Sequence, residues 1–129
     1  MHGYKWPINV WATNALVAHR PMLVSLGGDD LTLSDINIHN PPMEGAGLSS
    51  GSRHRVHGYR ASVDLPESAN AACLMLSDAS DVHVSHVRLD CGDDNIAMNA
   101  ESREFKDAVI ENSYFGCVYR SSDMRALIL

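Results

Sequence analysis

Four times along this chain bulky or apolar residues recur at positions x, x+2, x+5 and x+7, with Ser113 in the last run the one exception. They are Leu31, Leu33, Ile36, Ile38; His54, Val56, Tyr59, Ala61; Val82, Val84, Val87, Leu89; and Ala108, Ile110, Ser113, Phe115. The runs thus begin at Leu31, His54, Val82 and Ala108, at nearly even intervals. A unit recurring at this period stacks on its neighbours, because one unit alone cannot bury its apolar face. The two-residue steps are those of a strand showing alternate side chains to one side, and the three-residue step marks a bend within each run. A shorter strand precedes each run, at 22–26, 45–49, 72–76 and 95–99. Asp30, Arg53, Asp81 and Asp107 repeat a polar corner just ahead of the runs.

No two-residue Asn-Gly hairpin turn separates the runs, and no ten-residue stretch keeps a helical stripe. The expected fold is therefore all-β, a right-handed parallel β-helix of about four to five coils spaced by about 4.8 Å. Residues 20–129 form that solenoid, and residues 1–19, which hold Trp6 and Trp11, form a connector or cap. The run Ala126-Leu127-Ile128-Leu129 carries no polar cap. The solenoid is thus expected to be an incomplete piece of something longer, with open ends that can associate through unpaired strand edges.

At 129 residues the chain fits one domain, and 10 basic against 16 acidic residues give a net charge of −6. This balance opposes nucleic acid or an anionic membrane as partner, and the cluster Arg53, Arg55, Arg60 is too small to reverse it. No run reaches the length of a membrane span, and residues 1–7 lack the pattern of a signal peptide. Cys73, Cys91 and Cys117 are odd in number and widely spaced, without a Cys-x-x-Cys pair, so ordinary packing is expected for all three. His54-x-x-His57 and His83-x-x-His86 lack the further ligands of a zinc site and are expected as solvated strand histidines, so neither a metal nor a cofactor is implied. Residues 45–51 are rich in glycine and serine but lack the lysine of a phosphate-binding loop.

Cys91-Gly92-Asp93-Asp94-Asn95-Ile96-Ala97-Met98 carries the candidate chemistry. Two carboxylates follow a glycine at a corner between two strand runs. Neighbours on a regular strand point to opposite faces, so Asp93 and Asp94 can meet one substrate only where the backbone turns or bulges. If they converge, each charge disfavours ionisation of the other and one holds its proton to higher pH. Gly27-Gly28-Asp29-Asp30 has similar letters and reads as a plain turn.

Over roughly residues 20–122 the sequence resembles the polygalacturonases, glycoside hydrolase family 28. The resemblance rests on Arg20-Pro21-Met22-Leu23-Val24, Ile36-x-Ile38-x-Asn40-x-Pro42, Val56-x-Gly58, Pro66 to Asn70, and above all Gly92-Asp93-Asp94-Asn95-Ile96-Ala97. It implies inverting hydrolysis of a pectin-type polysaccharide in an extracellular or periplasmic setting, with Asp93 as proton donor and Asp94 activating water. The chain departs from the family at Ala72, in the coil preceding Asp93, where a further aspartate is expected. It departs again at Tyr119, where a histidine is expected, and it has no Arg-x-Lys before Leu129. These departures imply weak activity or none. The alternative expectation is a non-catalytic β-helix module that binds glycans or serves a structural role.

Overall fold

The computed structural model describes residues 22–41, 44–63 and 72–116. No described residue is helical. The ten strands are β1 (Val24–Gly27), β2 (Thr32–Ser34), β3 (Asn37–His39), β4 (Ala46–His57), β5 (Arg60–Ser62), β6 (Leu74–Ser85), β7 (Arg88–Asp90), β8 (Ile96–Asn99), β9 (Lys106–Glu111) and β10 (Tyr114–Phe115). Every pairing between them is parallel. One sheet runs β1-β4-β6-β8, with β2 on β4 and β9 on β6, and a second runs β10-β7-β5-β3. The chain is a parallel β-solenoid of about three turns, close to the four to five coils expected.

The repeat in the sequence is the stacking register. Leu33 pairs with Val56, Val56 with Val84 and Val84 with Ile110. Ile38, Ala61, Leu89 and Phe115 form the matching column of the second sheet. The first three members of both columns are buried, whereas Ile110 and Phe115 in the last layer are exposed. Between the sheets lie Leu48, Val56, Tyr59, Leu74, Leu76, Val82, Val84 and Leu89, all sealed from solvent. Burial of these side chains is the main gain from stacking, at roughly 1.5–3 kcal/mol each.

The polar corner has a backbone cause. Asp30, Arg53, Asp81 and Asp107 all have positive φ, between 50° and 63°. Asp35, Gly58, His86 and Asn112 form a second left-handed column at the three-residue step. Asp and Asn tolerate this region better than most side chains, which explains their abundance at the corners. In the two middle layers the expected corner between short and long strand is absorbed into one bent strand of 12 residues, β4 and β6. Gly51, at φ 91°, lies so close to the Gly28 carbonyl that a Cβ there would collide with it. Asp29 closes the same bend by accepting hydrogen bonds from the Ser52 backbone N–H at 2.8 Å and its hydroxyl at 3.1 Å. Gly28-Asp29-Asp30 is accordingly a bend, and Gly27 before it still belongs to β1.

Two expectations from sequence are corrected. Cys73 and Cys91 are not merely packed. They are joined by a disulfide, with Cα atoms 5.6 Å apart across 18 residues of sequence. The coil between them, β6 and β7, brings the chain back to its starting point, a closure that residue spacing alone does not reveal. His54 is not solvated either. It is fully buried, donating from Nε2 to the Gly28 carbonyl at 2.9 Å, while Nδ1 has no partner among the described residues. Residues 1–19, Cys117, Tyr119 and the apolar run 126–129 lie outside the described residues.

Candidate functional site

Asp93 and Asp94 occupy the bend from Cys91 to Asn95, between the last strand of one layer and the first strand of the next. Both residues are exposed. The bend contains no residue of positive φ, so Gly92 is not required there for a left-handed conformation. Side-chain and backbone bonds hold it instead. Asn95 accepts the Cys91 N–H through Oδ1 at 3.2 Å and donates from Nδ2 to the Gly116 carbonyl at 2.8 Å. The Cys73 N–H donates to the Asp94 carbonyl at 3.0 Å and the Leu74 N–H to that of Asn95 at 3.1 Å. With the disulfide to Cys73, the bend is tied to the preceding layer at both its ends.

The same ladder fixes what lies beside Asp94. Ala46 pairs with Leu74, and Leu74 with Ile96. Carried two positions back, this register sets Glu44, Ala72 and Asp94 in one column, supported by the bonds from Gly45 N–H to the Ala72 carbonyl at 2.8 Å and from Cys73 N–H to the Asp94 carbonyl. Ala72 is buried and stands one layer from the candidate pair, level with Asp94 rather than Asp93.

The electrostatics of this strip favour proton retention. Although Asp93 as a residue is exposed, enough protein surrounds its carboxyl to disfavour the charge; the neighbouring Asp94 charge adds to this, and a hydrogen bond from the Asp94 N–H opposes it. The net effect raises its pKa above the usual value. The carboxyl of Glu44 is also raised, first by burial and then by the charge of Asp93. Asp93 and Glu44 thus lie on one surface strip in which both hold their protons more tightly than in water. Sequence reasoning missed Glu44 and Asn95. Glu44 was detectable by adding the two register offsets that link 44 to 72 and 72 to 94, but Asn95 carries no signal beyond its place beside the aspartates.

Other candidates stay apart. Histidines from adjacent layers, His57 and His86, approach with ring centroids 5.0 Å apart, rather than the pairs adjacent in sequence. His57 shares a hydrogen bond with Ser85 at 3.2 Å, and His83 contacts Glu111 at 2.9 Å. Among the described residues no three His, Cys, Asp or Glu converge as a metal site would require. Arg53 is engaged bidentately by Asp30 at 2.6 and 2.8 Å, and Arg55 by Asp81 at 3.1 Å. Pro66 to Asn70 and Tyr119 lie outside the described residues. Compared with family models, curated proteins and solved structures, the chain matches none.

Proposed function

We propose that this chain is a polygalacturonase-like glycoside hydrolase unit, acting on a pectin-type polysaccharide by inverting acid/base hydrolysis, and that it is a weak catalyst. The observation that carries this reading is the Asp93–Asp94 bend, exposed at a layer junction of a parallel β-solenoid, with one carboxyl raised in pKa by burial and by the other's charge. Acid/base hydrolysis of a glycoside needs a carboxyl that keeps its proton and a carboxylate that takes one. The disulfide supports an extracellular or periplasmic setting, since such bonds persist in oxidising compartments. Ala72 contributes only a methyl group where the resemblance expects a carboxylate, and loss of a positioned acid–base group lowers a rate by about 10²–10⁴.

The test is incubation of the purified chain with polygalacturonate, esterified pectin and a neutral glucan. Reducing-end release and the anomer first formed are followed by NMR. Slow release from galacturonan alone, with inverted anomer and loss in Asp93→Asn, is expected. Absence of release from every polymer refutes the reading. Ala72 also favours a second reading, a non-catalytic glycan-binding module, for which calorimetry would register oligogalacturonate binding with no release at all.

A further inference from the structure

The fold splits the basic residues that lie close together in sequence. Arg53 and Arg55 stand on β4, each held by an aspartate, Asp30 and Asp81. Arg60 opens β5 in the other sheet and pairs directly with Arg88, which opens β7. In both strands the next residue, Ala61 or Leu89, is buried, so the two guanidinium groups project outward from the second sheet. Asn37 and Tyr114 continue the column on either side, and no carboxylate occurs in it. Like charges directly opposite in a ladder are destabilising. Yet neither Arg60 nor Arg88 has an ion pair among the described residues, although acidic residues outnumber basic ones by 16 to 10. Asp35 and Asp90, which border the same strands, lie against Gly58 and Gly116 instead. The Arg88 guanidinium rests over the Tyr114 ring, 4.3 Å from its centroid, a contact that fixes the group without cancelling its charge.

We propose that Arg60 and Arg88 form a clamp for a carboxylate of an acidic sugar polymer, with Tyr114 as the residue that positions Arg88. The choice of a pectin-type chain rests on the reading above; the clamp adds a binding surface outside the Asp93–Asp94 bend. A carboxylate matches the forked donors of a guanidinium through two parallel N–H···O bonds. It also relieves the repulsion between the two arginines, which a methyl ester of the same polymer leaves in place. A polyphosphate is the poorer fit, because two arginines on a chain of net charge −6 neutralise few phosphates. The clamp is continuous with the candidate site, since β7 begins at Arg88 and runs directly into Cys91, where the bend starts. A polymer gripped at Arg88 therefore lies on the sheet face that leads to Asp93 and Asp94.

The experiment titrates the full chain with an oligogalacturonate, its methyl-esterified form and single-stranded DNA, by calorimetry and by the NMR signals of the arginine Nε–H groups. Wild type is expected to bind the acid about tenfold or more tightly than the ester, with the Arg60 and Arg88 signals shifting. Arg60→Gln and Arg88→Gln should each lose about tenfold in affinity for the acid and nothing for the ester. Tyr114→Leu should lose about two- to fivefold, and Tyr114→Phe, which keeps the ring, should not. Equal affinity for acid and ester, tighter binding of DNA, or losses below about threefold in both arginine variants overturn the clamp. The ester comparison needs no variant, so it decides the matter even where a substitution disturbs the fold. Reducing-end release is read separately. Binding that depends on Arg60 and Arg88 without any release removes the hydrolase reading and leaves the clamp; release with a KM that neither arginine variant moves does the reverse.

Discussion

Replacing Cys73 and Cys91 by alanine, singly and together, measures what the coil closure contributes. The bond closes a stretch of 18 residues, for which the chain-entropy relation gives about 3 kcal/mol at 25 °C. Both cysteines are buried, so each truncation adds a packing loss of about 1 kcal/mol. Each single variant therefore loses about 4 kcal/mol and the double variant about 5, which falls short of the sum of the singles by about 3 kcal/mol. At a urea m-value of about 2 kcal/mol per molar, each single variant moves the midpoint down by roughly 2 M. Reductant should shift wild type by nearly as much and the variants hardly at all. Because Cys91 also donates to Asn95, amide exchange across 91–95 should quicken in every variant. Single losses near 1 kcal/mol that simply add, with no effect of reductant on wild type, would refute the closure.

Leu76→Ala should cost about 3 kcal/mol in urea unfolding, because Leu76 is fully buried in the column between Leu48 and Met98; the same change at exposed Met98 should cost far less. Asp78 accepts the backbone N–H groups of Glu101, Ser102 and Arg103 and the Ser102 hydroxyl, which holds its pKa well below the usual range. A lowered folded-state pKa gives a contribution present above the unfolded value of about 3.9 and lost as pH falls below it, so the protection of amides 101–103 relative to unstructured chain at the same pH should fall on acidification and lose this pH dependence in Asp78→Asn. Ala72→Asp puts a third carboxylate between Glu44 and Asp94, and at the layer spacing of about 4.8 Å and an effective dielectric of about 20 each repulsion reaches about 3 kcal/mol. Raised folded-state pKa values mean that the native state binds more protons, so this variant should lie closest to wild type near pH 3 and fall behind as pH rises; an equal deficit at pH 3 and pH 7 would count against the register.

The solenoid was legible because stacking turns sequence distance into spatial contact. The steps from Leu33 to Val56, from Val56 to Val84 and from Val84 to Ile110 are at once the spacing of the apolar runs and the pairing register of the strands. The left-handed corners were legible as chemistry but not as geometry. Asp30, Arg53, Asp81 and Asp107 stood out as a repeated polar position, while their positive φ, required for the chain to turn without a glycine, follows only from the backbone. The disulfide was hidden for another reason: it depends on what faces the interior at the start and end of a coil, where the two-residue alternation is interrupted and the inward side can no longer be counted along the strand. His54 differs, since it shares the alternation of Val56 and lies level with Val82, so its inward side was legible from the repeat and only its polar side chain argued against burial.

The same interruption governs the site. β6 pairs with β8 at one offset, Leu74 to Ile96, and with β9 at a longer one, Ser80 to Lys106, because the loop at 100–105 adds chain between the two strands. A single period therefore cannot align every position of a coil, and spacing along the sequence places Ala72 only to within the coil that precedes the Asp93–Asp94 corner. With the register read from the strands on either side, Ala72 comes level with Asp94, and Glu44, one layer earlier, joins the same column.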